Sequence, residues 1–281
     1  MSDKWPTAAA WLESGTSSER AGPPANPLIV AGVPLKDEAV TPGRYDLAPN
    51  AIRGILERLS AFHGERNVDL SQTDVEDLGD DLIPPPLDAP LTVLLGGHNG
   101  ITYEALRRSD DLASWGLLTV DAHHDVREYE PGAPSNGSAV RALIDAGLPP
   151  DHIVQVGIAG FSNIAAHRKW CEDIGITIRG PGAMHEVPVL LDLLAGRCRS
   201  IYVDLDIDVL DRSFAPACPG ARPGGISPRE LFSAAFDAGS HPAVRAVDIV
   251  EVDPERDVAS VTVFNAAEAF LNVAAGFATR R

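Results

Sequence analysis

The chain alternates short apolar runs of strand length with segments in which apolar residues have helical spacing. The apolar runs are rich in Val, Ile and Leu, and most of them end in glycine or polar residues. Continuous apolar runs of this length are typical of strands that are buried on both faces of a sheet. They predict strands at residues 27–33, 91–95, 115–120, 153–158, 174–178, 200–208 and 244–250.

Helical segments lie between these runs. The clearest one has apolar residues at i, i+3, i+4 and i+7, starting at Ile52, and predicts a helix over residues 48–63. Another begins at Ser227, where an N-cap serine, a proline and a glutamate stand in the order found at helix starts. Further helices are predicted near residues 102–108, 138–146, 165–173, 187–194 and 261–277.

Strands that alternate with helices predict an α/β fold with a mostly parallel sheet and helices on both faces. Residues 28–281 are interpreted as a single domain, because no linker interrupts the pattern after residue 91. Residues 1–27 are polar, lack the layout of a secretory signal and are expected to be a partly ordered lead-in. Residues 67–90 are acidic and contain three consecutive prolines, which predicts a surface excursion.

Metal-binding residue types follow two of the predicted strands. Asp121, His123 and Asp125 come directly after one strand, and Asp206 and Asp208 close another. In an extended backbone, residues two apart point to the same side, so the members of each set are expected to converge. Parallel strands share one carboxyl edge of the sheet, and active sites of open α/β sheets lie at that edge.

Two further strand ends, at His98 with Asn99 and at Glu251, should reach the same edge. Two like unit charges 4 Å apart repel by about 4 kcal/mol at an effective dielectric of 20, so clustered carboxylates either take up protons or bind cations. A shell rich in carboxylates and free of thiols suits Mn²⁺ or Mg²⁺ better than structural zinc. The sequence therefore predicts a site for two divalent metal ions.

Three neighbouring residues have simpler interpretations. Asp204 is as readily a hydrogen-bond partner behind the ligands or a backbone cap as a ligand itself. His124 is expected to face away from His123, and Asp211 can cap a turn.

Composition narrows the classes of function. The net charge of −17 argues against nucleic acid or an anionic membrane as a partner. No apolar run approaches the roughly 20 residues that a membrane-spanning helix needs. The three cysteines form no C-x-x-C pair, which favours a reduced, cytoplasmic setting.

Four motifs, in this order and spacing, resemble the ureohydrolase superfamily of arginases, agmatinases and formimidoylglutamases. They are Asp121-Ala-His-His-Asp125, Asp206-Ile-Asp-Val-Leu-Asp211 with Phe214-Ala-Pro216, Gly224-Gly-Ile226 and Glu251-Val-Asp-Pro254. The resemblance covers about residues 28–279. It implies a three-layer α/β/α, arginase-like fold with a mainly parallel sheet of about eight strands, a centre with two Mn²⁺ per chain, and a homo-oligomer.

The resemblance also implies roles for single residues. Glu251 falls on the position that holds the guanidinium or amidine of the substrate, and Asp125 is our candidate for carrying a proton to the leaving nitrogen. The positions that match metal ligands are Asp121, His123, Asp125, Asp206 and Asp208.

Two positions depart from the common family pattern. Most members have a histidine as the sixth ligand, whereas here Asn99 takes that position and His98 stands one residue earlier. The sequence allows either Asn99 or His98 to complete the first metal site. It does not determine whether a metal ion occupies that site. The loop histidine that arginases place near the substrate corresponds to Asn136.

Residues 211–225 resemble bacterial formimidoylglutamases more than arginases or agmatinases. The implied reaction is hydrolysis of a linear amidine C–N bond: N-formimidoyl-L-glutamate and water give L-glutamate and formamide, a step of histidine degradation. This small-molecule substrate carries two carboxylates, and Asn136, Arg127 and Arg222 are the candidates to bind it. For each arginine, a solvated or ion-paired surface role is the alternative.

Two other hypotheses are kept. The first is an agmatinase or another ureohydrolase of guanidino compounds, which releases urea. The second is a non-catalytic relative that binds a metabolite, and Asn99 is its only support in the sequence.

Overall fold

The computed structural model describes residues 5–15, 27–130 and 132–280. Its centre is an eight-stranded sheet in which every pair of neighbouring strands is parallel. Numbered along the chain, its strands are, in spatial order, β4 (Val75–Asp80), β1 (Leu28–Val33), β5 (Leu91–Gly96), β10 (Val244–Val250), β9 (Ser200–Asp206), β6 (Trp115–Val120), β7 (Ile153–Val156) and β8 (Thr177–Arg179). A separate antiparallel pair joins β2 (Phe62–His63) to β3 (Val68–Asp69). The predicted α/β fold is confirmed.

Helices cover both faces of the sheet, and each face has its own hydrophobic core. One layer consists of α1 (Ala8–Ser14), α2 (Ala48–Ile55), α6 (Val187–Ala195), α7 (Pro228–Ser240) and α8 (Val261–Ala278). The other consists of α3 (Gly100–Leu106), α4 (Ala139–Asp145) and α5 (Ala165–Ile174). Successive strand residues such as Val93 and Leu94 enter opposite cores, which explains why the strands read as continuous apolar runs.

Helix α8 is long and apolar enough to cross a membrane by length and composition alone. However, 67% of it is buried inside the protein, where it packs against α7 and α2. This burial is typical of the core helix of a soluble protein.

Two predictions about the first third of the chain were wrong. The acidic segment at 67–90 is not only a surface excursion, because β4 joins the edge of the sheet. Its Asp77 is neutralised by Arg53, with nitrogen–oxygen distances of 2.7 and 2.8 Å, so acidic residues are tolerated in this strand. The helix predicted over 48–63 ends at Ile55 and continues only as one 3₁₀ turn.

Part of the lead-in is helical. Thr7 caps α1, and the indole of Trp11 donates a 3.0 Å hydrogen bond to the carbonyl of Thr73. This contact ties α1 to the core. Residues 1–4 and 16–26 of the predicted lead-in lie outside the described part of the chain.

Candidate metal centre and active site

The four strand ends singled out in the sequence are neighbours in the middle of the sheet. In spatial order β5, β10, β9 and β6 are adjacent, and all four are parallel. Their carboxyl ends carry Asn99, Glu251, Asp206 and Asp121. The predicted convergence of these ends therefore follows from the strand order.

Five potential metal ligands gather at the ends of β6 and β9. We call them the rim cluster: Asp121, His123, Asp125, Asp206 and Asp208. One ligand atom from each of Asp121, His123 and Asp208 lies within 4.8 Å of the other two. The Nδ1 atom of His123 is 2.9 Å from Asp208 Oδ2 and 3.6 Å from Asp121 Oδ1. Such a carboxylate–imidazole set is suited to a divalent cation.

The backbone that presents these residues is not extended, in contrast to the prediction. Asp121 Oδ1 accepts a 2.7 Å hydrogen bond from the backbone N–H of His123, and Asp206 Oδ1 accepts one of the same length from Asp208. Asp125 has a φ of 50°, in the left-handed region. Aspartate-closed turns at the strand ends, and not strand alternation, bring the side chains together.

The charges of the rim cluster are poorly balanced without a cation. Burial raises the pKa of Asp121 to about 6 and, together with the neighbouring carboxylates, raises the pKa values of Asp125 and Asp206 well above their usual range. Burial lowers the pKa of His123, but the charges of Asp208 and Asp121 outweigh it and raise that pKa to about 12. Protons and one imidazolium thus hold the cluster together, a role that divalent cations fulfil when they displace those protons.

Asn99, and not His98, reaches the rim cluster. Its Nδ2 atom is 2.6 Å from Asp125 Oδ2 and 3.4 Å from Asp121 Oδ2. The ring of His98 turns away, with Nε2 2.7 Å from the carbonyl oxygen of Asp37 and Nδ1 accepting a hydrogen bond from Gly100. The sequence-based alternative of His98 as a ligand has no support in this geometry.

Glu251 closes the site from the end of β10. Its Oε1 atom accepts hydrogen bonds from the backbone N–H of Asn99 at 2.8 Å and from Asn136 Nδ2 at 2.9 Å. Burial raises the pKa of Glu251 to about 7, although these hydrogen bonds oppose the rise. The Oδ1 atom of Asn136 accepts from the Val40 N–H at 2.8 Å, so Asn136 ties Glu251 to a neighbouring loop.

A cavity of about 410 Å³ opens above Glu251 and the outer part of the rim cluster. Arg127 and Arg222 lie in its wall. Arg222 is anchored by the carbonyl oxygens of Pro219 and Gly220 at 2.8 and 2.9 Å. Gly220 is required here, because a Cβ atom at this position would overlap the carboxylate of Asp208.

The loop after β7 contributes Ser162 and Asn163 to the cavity wall, and the start of α5 contributes His167, although the sequence did not predict these residues as part of the site. Asn163 also holds the turn that carries the rim cluster: it accepts from the His124 N–H at 3.0 Å and donates to the Ala122 carbonyl at 2.9 Å. The end of the strand at residue 156 could have indicated that this loop reaches the site, but the residues that directly follow the strand are not charged.

The residues with simpler interpretations behave as expected in two cases. The ring of His124 is buried against Gln155, with Nδ1 2.6 Å from its side-chain oxygen. Asp211 caps a turn by accepting from the N–H groups of Ser213 and Gly224 at 2.9 and 2.7 Å.

Asp204 belongs to a second buried group below the rim cluster. We call it the inner cluster: Thr102, Tyr202, Asp204 and Asp248. The Oδ2 atom of Asp248 lies 2.7 Å from both hydroxyl oxygens. Asp204 faces Asp248 across β9 and β10, and burial together with this charge raises its pKa well above the usual range. Asp204 therefore lies beside Asp248 in the sheet and does not line the cavity.

A parallel α/β sheet with a carboxylate-rich cluster and a cavity at its carboxyl edge defines a metal-dependent enzyme class. The chain matches the arginase family over residues 87–276 and belongs to that family. The predicted hydrolase of this family, acting on C–N bonds of linear amidines, is thereby confirmed.

Several individual proteins are similar to this chain over most of its length. A formimidoylglutamase of Halalkalibacterium halodurans is 33% identical in an alignment of 272 positions, which covers 87% of this chain and 85% of that protein. The crystal structure of formimidoylglutamase from Bacillus subtilis is 29% identical, with a TM-score of 0.84 and coverage of 93% of this chain and 90% of that chain. Trypanosoma cruzi formiminoglutamase with Mn²⁺, 24% identical, shares the fold at a TM-score of 0.83 and coverage of 99% and 100%. Agmatinases are also among the similar proteins.

Proposed function

We propose that this chain hydrolyses N-formimidoyl-L-glutamate to L-glutamate and formamide. One observation carries the proposal: the same cavity has a buried carboxylate, Glu251, beside the rim cluster and two arginines, Arg127 and Arg222, in its wall. A substrate with a cationic amidine at one end and two carboxylates at the other requires this polarity. Similarity to formimidoylglutamases over most of the chain supports the choice.

The rim cluster and Asn99 would hold two Mn²⁺ ions, one at Asp121, His123 and Asp208 and the other at Asn99, Asp121 and Asp125. Asp206 also lines the cavity and would complete the carboxylate set. The Mn²⁺ of the trypanosomal relative supports the identity of the metal. When bound, ions of this kind lower the pKa of water and supply a nucleophile near neutral pH.

The residues of this chain then bind and orient the substrate. Glu251 accepts the N–H groups of the amidine, whose positive charge favours the ionised carboxylate. Asp125 takes the proton of the attacking hydroxyl and transfers it to the leaving nitrogen, so the C–N bond breaks and glutamate leaves as an amine. Arg127 and Arg222 bind the substrate carboxylates, while Asn136 keeps Glu251 in place.

The alternative of an agmatinase or another guanidino-compound ureohydrolase is favoured by the agmatinases among the similar proteins. A cationic substrate tail would call for acidic residues in the cavity wall. Away from the rim cluster and Glu251, the charged groups among the described residues that line this wall are Arg127 and Arg222. The dicarboxylate substrate fits this wall better.

A release assay separates these activities. The Mn²⁺-loaded protein is incubated with formimidoylglutamate, agmatine, arginine or guanidinobutyrate, and formamide and urea are measured. Formamide from the first substrate alone is the expected result. Urea from any of the others assigns the alternative, and neither product from a chain that binds no Mn²⁺ leaves the non-catalytic metabolite binder.

We also propose a cytoplasmic homo-oligomer. The three cysteines, Cys171, Cys198 and Cys218, are buried and free, which suits a reducing compartment. Light scattering on the purified protein measures the number of subunits.

A further inference from the structure

Asn99 is connected to the inner cluster through Thr102. The hydroxyl oxygen of Thr102 is 2.8 Å from Asn99 Oδ1 and 2.7 Å from Asp248 Oδ2. A threonine hydroxyl has one proton and cannot donate to two acceptors at once. One of these two contacts would then bring two acceptor oxygens together without a hydrogen between them.

When Asn99 Oδ1 faces Thr102, the Nδ2 end of the amide faces the rim cluster, which is unfavourable for metal binding. This orientation directs Nδ2, a donor, at Asp125 and Asp121. An amide nitrogen that carries two hydrogens is no ligand for a hard cation. The two ends of a carboxamide have nearly the same shape, so a half turn about its terminal bond exchanges them without moving the other heavy atoms.

The exchanged orientation gives each donor in this line one acceptor, and it turns Asn99 Oδ1 toward two carboxylates, an arrangement that requires a cation between these oxygen atoms. Asn99 Nδ2 donates to the Thr102 oxygen, the Thr102 hydroxyl donates to Asp248 Oδ2, and Asn99 Oδ1 faces Asp121 and Asp125. Asp248 fixes the direction of this chain, because an ionised carboxylate can only accept, and its Oδ2 atom lies 2.7 Å from the Thr102 oxygen. Asn99, Thr102 and Asp248 are each at most 1% exposed, so bulk water does not supply alternative partners.

We propose that Thr102 and Asp248 are positioning residues that turn the carbonyl oxygen of Asn99 toward the first metal ion. Hydrogen bonds in such a chain polarise one another, which raises the negative charge on the carbonyl oxygen of a neutral ligand. A carboxylate that accepts a hydrogen bond from a metal-bound histidine orients the imidazole and makes it a better ligand. Thr102 and Asp248 would act on the carboxamide of Asn99 in the same way. This inference rests on the proposed function only in requiring a metal ion at Asn99.

The test is Mn²⁺ binding to the full chain, measured by calorimetry and by electron paramagnetic resonance of the free ion. Thr102→Val should weaken one of two Mn²⁺ sites by roughly tenfold and leave the other unchanged, and Thr102→Ser should restore it. Asp248→Asn should weaken the same site, because an asparagine amide can donate to Thr102 and reverse the chain.

Two controls separate positioning from a general structural effect. Tyr202→Phe removes a donor to Asp248 without touching Thr102, and should keep both Mn²⁺ affinities. In an Asn99→Ala background, adding Thr102→Val should change nothing further, because Thr102 acts through Asn99.

Wild-type affinity at both sites in Thr102→Val would overturn the inference, as would a further tenfold loss when that change is added to Asn99→Ala. If Asp248→Asn does not fold, the comparison of Thr102→Val with Thr102→Ser still tests the inference. A wild-type chain that binds two Mn²⁺ but releases no formamide refutes the proposed function and leaves the positioning role to be judged by these affinities. A wild-type chain without Mn²⁺ refutes both.

Discussion

The rim cluster and the inner cluster are two buried acidic groups in the same part of the sheet, and they differ in what neutralises them. In the rim cluster, four carboxylates share a single imidazole, that of His123. In the inner cluster, two hydroxyl groups donate to Asp248, and burial beside that carboxylate raises the pKa of Asp204 well above its usual range. A buried carboxylate with two hydroxyl donors is readily part of the structure, whereas four buried carboxylates that share one imidazole are suited to an external cation.

Acidic residues spaced two apart along a strand do not all reach the same site. Asp204, Asp206 and Asp208 are spaced two apart along β9 and its end. Only the last two line the cavity, because β9 ends at Asp206, whereas Asp204 lies within the strand beside Asp248 of β10.

The largest effect is expected from Asp125→Asn in the rim cluster. The amide cannot take up the proton of the attacking hydroxyl, so turnover should fall by about 10²–10⁴-fold while most of the Mn²⁺ is retained. Formamide release and metal content measure the two effects. Asp211→Asn, the same change at an exposed turn, is the matched control, and turnover at the wild-type level in Asp125→Asn would exclude the proton-carrying role.

Asp208→Asn should act on metal affinity before it acts on chemistry. It removes a ligand and the charge nearest to His123, so Mn²⁺ affinity should drop by more than the roughly 10–100-fold expected for a hydrogen-bond partner of a ligand. Calorimetric titration with Mn²⁺ measures the change. Two sites of wild-type affinity in this variant would show that Asp208 is no ligand.

The metal-free protein should lose stability as pH rises. Folding raises the pKa of Asp121 from 3.8 to about 6 and that of Glu251 from 4.5 to about 7. A raised pKa contributes stability that is fully present below the unfolded-state value and is lost as pH rises through the folded-state value, and the raised pKa of His123 extends the same trend upward.

Thermal unfolding in a chelator at about pH 5 and about pH 8 checks this sign, with the lower Tm expected at the higher pH. Added Mn²⁺ should raise Tm more at the higher pH, because its ligands must be deprotonated. A chelated protein whose Tm rises over this interval contradicts the charge balance described for the rim cluster.

The smallest effect is expected from Asp204→Asn in the inner cluster. A protonated carboxyl and a carboxamide have similar shape, and both can donate to Asp248. Stability should change by less than about 1 kcal/mol, which is roughly 2–4 °C in Tm, with Mn²⁺ affinity unchanged. A loss of Mn²⁺ affinity in this variant would indicate that Asp204 is part of the metal site.

Features encoded over short distances could be predicted from the sequence. The alternation of apolar runs and helical spacing determined the parallel α/β fold, since strand length and burial on both faces are local properties. The Asp121–Asp125 and Asp206–Asp208 motifs were found because turn chemistry keeps residues two apart close together. Their convergence was correct, although its backbone cause was different.

Other features depended on contacts between distant segments. The orientation of His98 away from the rim cluster depends on the Asp37 carbonyl, which contacts its ring across 61 residues of sequence. Strand β4 was missed because Arg53 neutralises its aspartates, and Asn163 because it meets the rim turn only in the folded chain. The sequence by itself determined which residue types end the strands; only the tertiary structure decided which partners face them, because donor, acceptor and charge balance are set by neighbours in space.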